Sequence, residues 1–119
     1  MSEQGVFVYV IVDTDRQFAK VGIAKNVARR RRQLQVSYPT TLTVAHAVHF
    51  PKLIIGAQVE YRTHRILADV RLNGEWFNAD AATCAAAIEQ AKRWVRNRRG
   101  NLAWQPDVKR LINLGSAAR

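Results

Sequence analysis

Two short apolar segments near the start of the chain, separated by a polar turn, constrain the fold most strongly. Residues 5–12 (GVFVYVIV) are rich in valine and aromatic side chains and have the length of a fully buried strand. Residues 13–17 (DTDRQ) have the composition of a turn, and residues 18–23 (FAKVGI) form the second apolar segment. The pattern predicts a β-hairpin, with its first strand in the interior of the domain.

The pattern after the hairpin predicts one further strand and several helices. Asn26 is a good N-cap for a helix that ends near Gln35, because Pro39 disfavours a helical residue before it. Residues 42–50 (LTVAHAVHF) alternate in part and predict a third strand. Asn73-Gly74 predicts a turn, and further helices are predicted over residues 53–68, 83–98 and 106–113. The chain is therefore expected to form a small α/β domain whose three-stranded, mostly antiparallel sheet is flanked by helices.

The charge balance indicates the class of partner. Among the 119 residues, Lys and Arg number 19 and Asp and Glu number 9, which gives a net charge of +10. Arginine outnumbers lysine by 14 to 5, and its planar fork suits phosphate better than an ammonium does. We therefore expect a polyanionic partner, most simply nucleic acid. The alternative is a basic protein without such a partner.

The cysteine content and the apolar runs indicate the compartment. A single cysteine, Cys84, permits neither a disulfide within the chain nor a CxxC zinc site. No apolar run approaches the roughly 20 residues that a membrane span needs, and the first residues do not resemble a signal peptide. The sequence therefore predicts a protein of the reducing cytoplasm with no membrane contact.

Four consecutive arginines at positions 29–32 lie in the predicted first helix. At about 100° per residue, Arg30 and Arg31 border the apolar stripe of this helix. Arg29 and Arg32 point away from the stripe, towards water. The outer two are expected to attract phosphate from a solvated face. Helix geometry alone does not choose between Arg30 and Arg31 for a role at a cleft.

Five short motifs in a fixed order resemble one enzyme superfamily. They are FVYVI at residues 7–11, AKVG at 19–22, an arginine eight positions after Gly22, VEYRTH at 59–64 and GEWFN at 74–78. The set is similar to the GIY-YIG nucleases, in the phage and bacterial branch whose second motif reads Lys-Ile-Gly and whose domain closes with Gly-Glu-Trp-Phe. The first motif lacks the Gly and Ile of the family but keeps the Tyr. The second has Lys20 where many members have tyrosine.

The resemblance implies a domain organisation and an activity. Its motifs span residues 5–82, so we expect a GIY-YIG-like nuclease core over residues 1–82. Residues 83–119 would form a basic helical extension packed on that core, in a single domain overall. The implied activity is that of a metal-dependent DNA endonuclease using one divalent cation, Mg²⁺ or Mn²⁺. The alternatives are a non-catalytic nucleic-acid-binding module of the same fold and a basic surface that docks an acidic protein.

The resemblance also implies an active site. Tyr9, Lys20 and Arg30 would be catalytic, with Glu60 as the metal ligand and the water-activating base left open between Tyr9 and Lys20. Helical spacing places His64 one turn after Glu60 on the same flank, so His64 is added to the catalytic set. The expected supporting residues are Gly22, Asn78 and Glu75, of which the last is expected to brace the site or to pair with an arginine.

Basic residues in two regions are expected to hold the nucleic acid. Phosphate contacts from Lys and Arg supply sequence-independent affinity. The first region lies around the arginine run and the second lies in the predicted helix of residues 83–98; the residues are Lys25, Arg29, Arg31, Arg32, Arg93, Arg96, Arg98 and Arg99. The sequence leaves open whether the partner is intact, branched or nicked DNA or RNA, and whether an oligomer or a protein partner is involved.

Overall fold

The structure, a computed structural model, describes residues 5–99. It confirms a small α/β domain with an antiparallel sheet flanked by helices. The elements are β1 (Val6–Asp13), β2 (Phe18–Ala24), α1 (Val27–Gln35), β3 (Leu42–Phe50), α2 (Leu53–Ile66), a 3₁₀ turn (Ala68–Val70), β4 (Arg71–Asn73), β5 (Trp76–Phe77) and α3 (Ala81–Arg99). No helix in this part of the chain is long and apolar enough to cross a bilayer.

The sheet has five strands in the order β3-β1-β2-β5-β4, whereas three were predicted. The hairpin of β1 and β2 and the third strand were predicted correctly. The prediction missed β4 and β5, which contain three and two residues. Segments of that length carry no measurable alternation of apolar and polar residues, so the pattern showed only the Asn73-Gly74 turn between them. Gly74 adopts a positive φ of 57° at this turn.

The two faces of the sheet are covered by different helices. Alternation along β1 directs Val8 and Val10 to one face and Tyr9 and Ile11 to the other. The valine face packs against α2 and α3, and the tyrosine face packs against α1. The first helix and the last two helices therefore lie on opposite sides of the sheet.

The last described helix, α3, contributes to the main hydrophobic core. It presents a stripe of five buried residues to the valine face of the sheet: Cys84, Ala87, Ile88, Ala91 and Val95. The helix predicted over residues 83–98 is thus observed with slightly wider bounds. The short helix predicted over residues 106–113 lies outside the described residues. The division of the chain at residue 82 stays a prediction.

A buried carboxylate at the end of β1 anchors the loop that follows α1. Asp13 is fully buried, and the Tyr38 hydroxyl donates a hydrogen bond to its Oδ2 at 2.8 Å. Burial opposes ionisation of Asp13, but hydrogen bonds, led by that of Tyr38, outweigh it and hold the pKa of this carboxyl below its usual range. A group with a lowered pKa in the folded state stabilises the fold above its unfolded pKa, and this contribution is lost as the pH falls through the folded value.

Tyr38→Phe should therefore reduce stability most at neutral pH. The variant keeps the aromatic ring but loses the donor to Asp13, so the pKa of Asp13 should rise towards its ordinary value of about 3.9. Urea unfolding midpoints measured from pH 7 down to acid should show a deficit that shrinks as the pH falls. Tyr61→Phe is the matched control, because the Tyr61 hydroxyl accepts its contact from the exposed Arg65 side chain, at 3.5 Å. A deficit independent of pH would contradict this account.

Candidate active site at the edge of β2

The predicted site residues meet at the part of the β2 edge that lies beyond its pairing with β5. Strand β5 pairs with β2 only at Ala19 and Lys20. Beyond this short pairing, the Val21 N–H donates to the backbone oxygen of Glu75 at 3.1 Å. The Val21 carbonyl accepts a hydrogen bond from His64 Nε2 of α2 at 2.8 Å. Beyond Lys20, where β2 has no partner strand, its backbone groups are thus hydrogen-bonded by the turn before β5 and by α2.

Tyr9 and Gly22 form the floor of this site. They are paired directly in the register between β1 and β2, and the Tyr9 ring lies over the glycine. A Cβ added at Gly22 would contact the Tyr9 hydroxyl, and would lie 2.6 Å from Tyr9 Cζ and 3.0 Å from Glu75 Oε1. The separations from Tyr9 are shorter than a real Cβ allows, and the one from Glu75 Oε1 is very tight. Gly22 is therefore required by the close approach of Tyr9 and Glu75.

Arg30 reaches the floor from α1 and shares a hydrogen bond with the Tyr9 hydroxyl. Tyr9 is 1% exposed. Burial raises its pKa to about 12, against the lowering effect of the hydrogen bond and charge of Arg30 and with a smaller raising effect from Glu75 and Glu60. Tyr9 is therefore a neutral phenol at physiological pH. Glu75 lies beside the same hydroxyl, because its Oε1 and the Tyr9 hydroxyl both approach Gly22.

Lys20 and Glu75 form a buried ion pair beside this floor. Lys20 Nζ lies 2.9 Å from Glu75 Oε1, and the two side chains are 8% and 1% exposed. The ammonium group also lies 5.8 Å from the centre of the Trp76 ring, which belongs to β5. Glu75 was expected to brace the site or pair with an arginine. It pairs with a lysine.

Glu60 and His64 lie one turn apart on α2, as the spacing predicted. Glu60 is fully buried, and its Oε2 lies 4.0 Å from His64 Nε2. A carbonyl oxygen can only accept, so the His64 Nε2 that contacts Val21 carries the proton. The His64 ring also packs on Phe77 with centroids 5.2 Å apart. His64 thus fastens α2 to β2 and places Glu60, while its catalytic role stays a prediction.

The arginine run divides as the helix geometry predicted. Arg29 and Arg32 are exposed, whereas Arg30 and Arg31 are partly buried. Arg31 Nη1 lies 3.4 Å from the Leu42 carbonyl oxygen at the start of β3. The structure therefore directs Arg30 to the cleft and uses Arg31 to connect α1 with β3.

Gln35 is a structural residue that the sequence analysis missed. Its Nε2 donates to the Thr40 carbonyl at 2.8 Å, and its Oε1 accepts from the Leu42 N–H at 2.8 Å. These bonds hold the loop between α1 and β3. No local sequence signal identifies this role, because the partners are set by how the loop folds back onto the helix.

The remaining residues predicted to bind nucleic acid or to support the site lie outside the group formed by Tyr9, Lys20, Gly22 and Glu75. Lys25 is exposed before α1, and Asn78 is exposed after β5 with its backbone N–H donating to the Val70 oxygen at 2.7 Å. On the opposite side of the sheet, α3 exposes three of the predicted phosphate-binding residues: Arg93, Arg96 and Arg98. Arg99 is the last residue of α3. The tertiary structure thus places the two predicted basic regions on opposite sides of the sheet.

A second aromatic pair borders Lys20. Tyr38 and Trp76 stack with centroids 5.2 Å apart and nearly parallel planes. Trp76 is partly buried in the cluster beneath α1. Tyr38 was not predicted to lie near the site. The pair covers one side of Lys20 and links it to Asp13.

The donor set can be tested against the cation that the resemblance implies. Within residues 5–99 no group of three or more His, Cys, Asp or Glu side chains is arranged to hold a metal ion. A cage made of protein ligands alone is therefore absent from this part of the chain. A single carboxylate such as Glu60 suits Mg²⁺ or Mn²⁺, which take their remaining ligands from water and substrate phosphate. Because Glu60 is fully buried, a hydrated cation can reach it only if the neighbouring side chains move.

Comparison with known proteins identifies a family. The sequence model of the T5orf172 domain matches residues 6–98, from β1 almost to the end of α3. This domain is phage-associated and is often linked to endonuclease-like folds related to GIY-YIG. No curated protein and no solved structure matches the chain. The match supports a nucleic-acid-related domain, and the assignment to GIY-YIG nucleases stays a prediction.

Gly22→Ala should destabilise the fold through its contact with Tyr9. The added methyl group has no room, and overpacking of this kind typically costs about 1–3 kcal/mol. In a Tyr9→Ala background the same substitution should cost much less, because the ring that it meets is gone. Urea unfolding of the four proteins in this cycle gives the coupling. Equal costs in both backgrounds would show that the contact with Tyr9 is not what excludes a side chain.

Proposed function

Because the chain belongs to the T5orf172 domain family, we propose that it is a metal-dependent endonuclease that hydrolyses phosphodiester bonds in DNA with a single divalent cation. The observation that carries the proposal is the convergence of Tyr9, Lys20, Arg30 and Glu60 at the β2 edge. These residues come from four different elements and include the chemical groups that phosphodiester hydrolysis needs: a cation for phosphate, a carboxylate for a metal ion and groups that can orient water.

Arg30 is the group proposed to stabilise charge on the phosphate. A guanidinium has five N–H donors, and Arg30 commits only part of them to the Tyr9 oxygen and to Gln33 Oε1 at 3.4 Å. The remaining donors can bind two phosphate oxygens at once. Tyr9 thereby positions the guanidinium group. Its neutral hydroxyl accepts a hydrogen bond from Arg30 and leaves the positive charge of Arg30 uncompensated.

The proposed base is Tyr9 or Lys20, and in the structure each has a contact or environment that hinders proton uptake. Tyr9, with a pKa of about 12, is protonated at neutral pH and needs further stabilisation of its phenolate form before it can accept a proton. Lys20 is engaged by Glu75 at 2.9 Å. A divalent cation held by Glu60 would neutralise charge on the phosphate and the leaving oxygen.

The exposed basic residues are proposed to position the nucleic acid. Lys25, Arg29 and Arg32 are exposed on or beside α1, the helix that carries Arg30. They can therefore contact phosphates that flank the one in the cleft. The exposed arginines of α3 lie on the other side of the sheet, so they would contact a different part of the partner. DNA is the proposed substrate class. Whether the DNA is intact, branched or nicked is left open, and RNA is the alternative substrate.

A non-catalytic nucleic-acid-binding module is the second candidate function. It is favoured by one observation: Glu60 is fully buried, and Glu75 is buried against Lys20. With both side chains buried, neither carboxylate is accessible to a hydrated metal ion in this arrangement. A domain that only binds backbone phosphates would need Arg30 and the exposed arginines but no accessible carboxylate.

Arg30→Ala and Glu60→Gln should each abolish most nicking of supercoiled plasmid in the presence of Mg²⁺ or Mn²⁺. Loss of one charge-stabilising donor in an active site typically lowers the rate about 10²–10³-fold. Lys52→Ala and Glu89→Gln are the matched controls, because each removes the same charge from a position away from the cleft. Absence of cleavage by the wild-type protein with either metal, together with salt-sensitive binding, would favour the binding module. Equal nicking by all variants would show a different site or a contaminating nuclease.

Arg29→Ala and Arg30→Ala should separate binding from cutting. Each phosphate contact contributes about 0.9 to the slope of log affinity against log salt for duplex DNA. Arg29→Ala should therefore lower that slope by about one and weaken binding, with cleavage retained at saturating protein. Arg30→Ala should lose cleavage and keep most of the affinity. Fluorescence anisotropy over a range of salt concentrations measures the affinity and its salt slope, and plasmid nicking measures cleavage. If Arg29→Ala lost cleavage and Arg30→Ala lost affinity, the two roles would be exchanged.

A further inference from the structure

The contacts of Lys20 bear on the choice between the two proposed bases. We infer that Lys20 acts as a fixed cation on the phosphate and not as the base, and that Glu75 is the positioning residue that holds it in place. This inference rests on the proposed function and assigns a role within the same site. It is carried by the surroundings of the Lys20 ammonium group.

The surroundings of Lys20 favour a charged ammonium. Its Nζ lies 2.9 Å from Glu75 Oε1 and 5.8 Å from the centre of the Trp76 ring. A carboxylate and the face of an aromatic ring both stabilise a cation. In the sheet register, Lys20 is flanked by Ile11 on β1 and Trp76 on β5, so neither paired neighbour brings a positive charge.

A lysine that serves as a base needs the opposite surroundings. It becomes a neutral amine near physiological pH when an apolar pocket or a neighbouring cation opposes its charge. Lys20 is buried, but its closest polar contact is an anion. The anion beside the Lys20 ammonium group therefore favours the role of a cation over that of a base.

Glu75 is held firmly enough to position Lys20. Its backbone oxygen accepts the hydrogen bond of the Val21 N–H at 3.1 Å, which ties the turn to β2. Its Oε1 lies over Gly22, next to the Tyr9 hydroxyl. Arg30, Tyr9, Glu75 and Lys20 therefore form a continuous row across the floor of the cleft. The row has a cation at each end, and in the role that we infer Lys20 would contact a phosphate bound over this row.

The ion pair is not needed to hold the strands together. The β2–β5 ladder and the Val21–Glu75 backbone bond already fix the turn. Replacing a buried ion pair by apolar residues of similar volume is often neutral or stabilising. A buried ion pair at a candidate active site is therefore better explained by the chemistry of the site.

Conservative replacement distinguishes a cation from a base. Arginine keeps the positive charge but cannot accept a proton at physiological pH. Lys20→Arg should therefore nick plasmid within about tenfold of wild type, whereas Lys20→Met should fall by about 10²-fold or more. Because arginine is larger, Lys20→Ala is tested as well, with guanidinium ion or imidazole added to the reaction. Rescue by guanidinium ion is expected. An inactive Lys20→Arg, combined with rescue by imidazole alone, would overturn the inference.

A double-mutant cycle tests whether Glu75 acts through Lys20. Glu75→Gln should lower kcat about tenfold or more with little change in KM, and should add almost nothing to Lys20→Met. Independent, additive effects would overturn the positioning role. The Lys20→Met/Glu75→Leu protein serves as the fold control: its urea midpoint should match or exceed that of wild type while its nicking is lost. Retained nicking in this protein would also overturn the inference.

The same measurements separate the two levels of proposal. If the wild-type protein does not nick DNA, the proposed function fails and this inference fails with it. If the wild type nicks DNA and Arg30→Ala does not, but Lys20→Arg is inactive and guanidinium ion does not rescue Lys20→Ala, only the role of Lys20 and Glu75 is wrong.

Discussion

The register between β1 and β2 is the constraint on which the site depends. It pairs Tyr9 with Gly22, so that the ring of one lies over the Cα of the other. Side chains alternate along a strand, and a slip of one residue would turn Tyr9 into the core beneath α2 and α3. The same register places Lys20 on the face of Tyr9. Tyr9 and Lys20 thus point to the candidate site, because the alternating valines Val10 and Val21 point to the opposite face of the sheet.

The charges at the cleft are balanced in the protein as it stands. Lys20 pairs with Glu75, Arg30 binds the neutral Tyr9 hydroxyl, and Glu60 is buried close by. Isolated buried charges are costly, so Lys20 and Glu75 stabilise each other where one alone would be unfavourable. A phosphate and a divalent cation would add charges of opposite sign to this set. The balanced arrangement explains how a dense group of ionisable side chains fits inside a small domain.

The sequence predicted the helices and strands with clear periodicity. It did not predict side-chain partners that depend on contacts between distant segments. Strand β3 and the separation of exposed from partly buried arginines in α1 follow from residue patterns, and the structure agrees with both. The pattern could not choose Arg30 over Arg31, because both border the same stripe. The choice depends on where β3 begins, since the Leu42 carbonyl binds Arg31. The partner of Glu75 was also out of reach, because the two-residue strand β5 carries no periodic signal.

The sequence by itself determined the small α/β domain, its basic character and the set of residue types from which an active site could be built. Local patterns carry this information because helices and strands repeat with fixed periods. Only the tertiary structure decided that His64 fastens α2 to the uncovered edge of β2, that Glu75 pairs with Lys20, and that the two basic regions lie on opposite sides of the sheet. Those outcomes depend on which strand edges remain open and which face each helix covers. Both are properties of the assembled sheet that no single segment encodes.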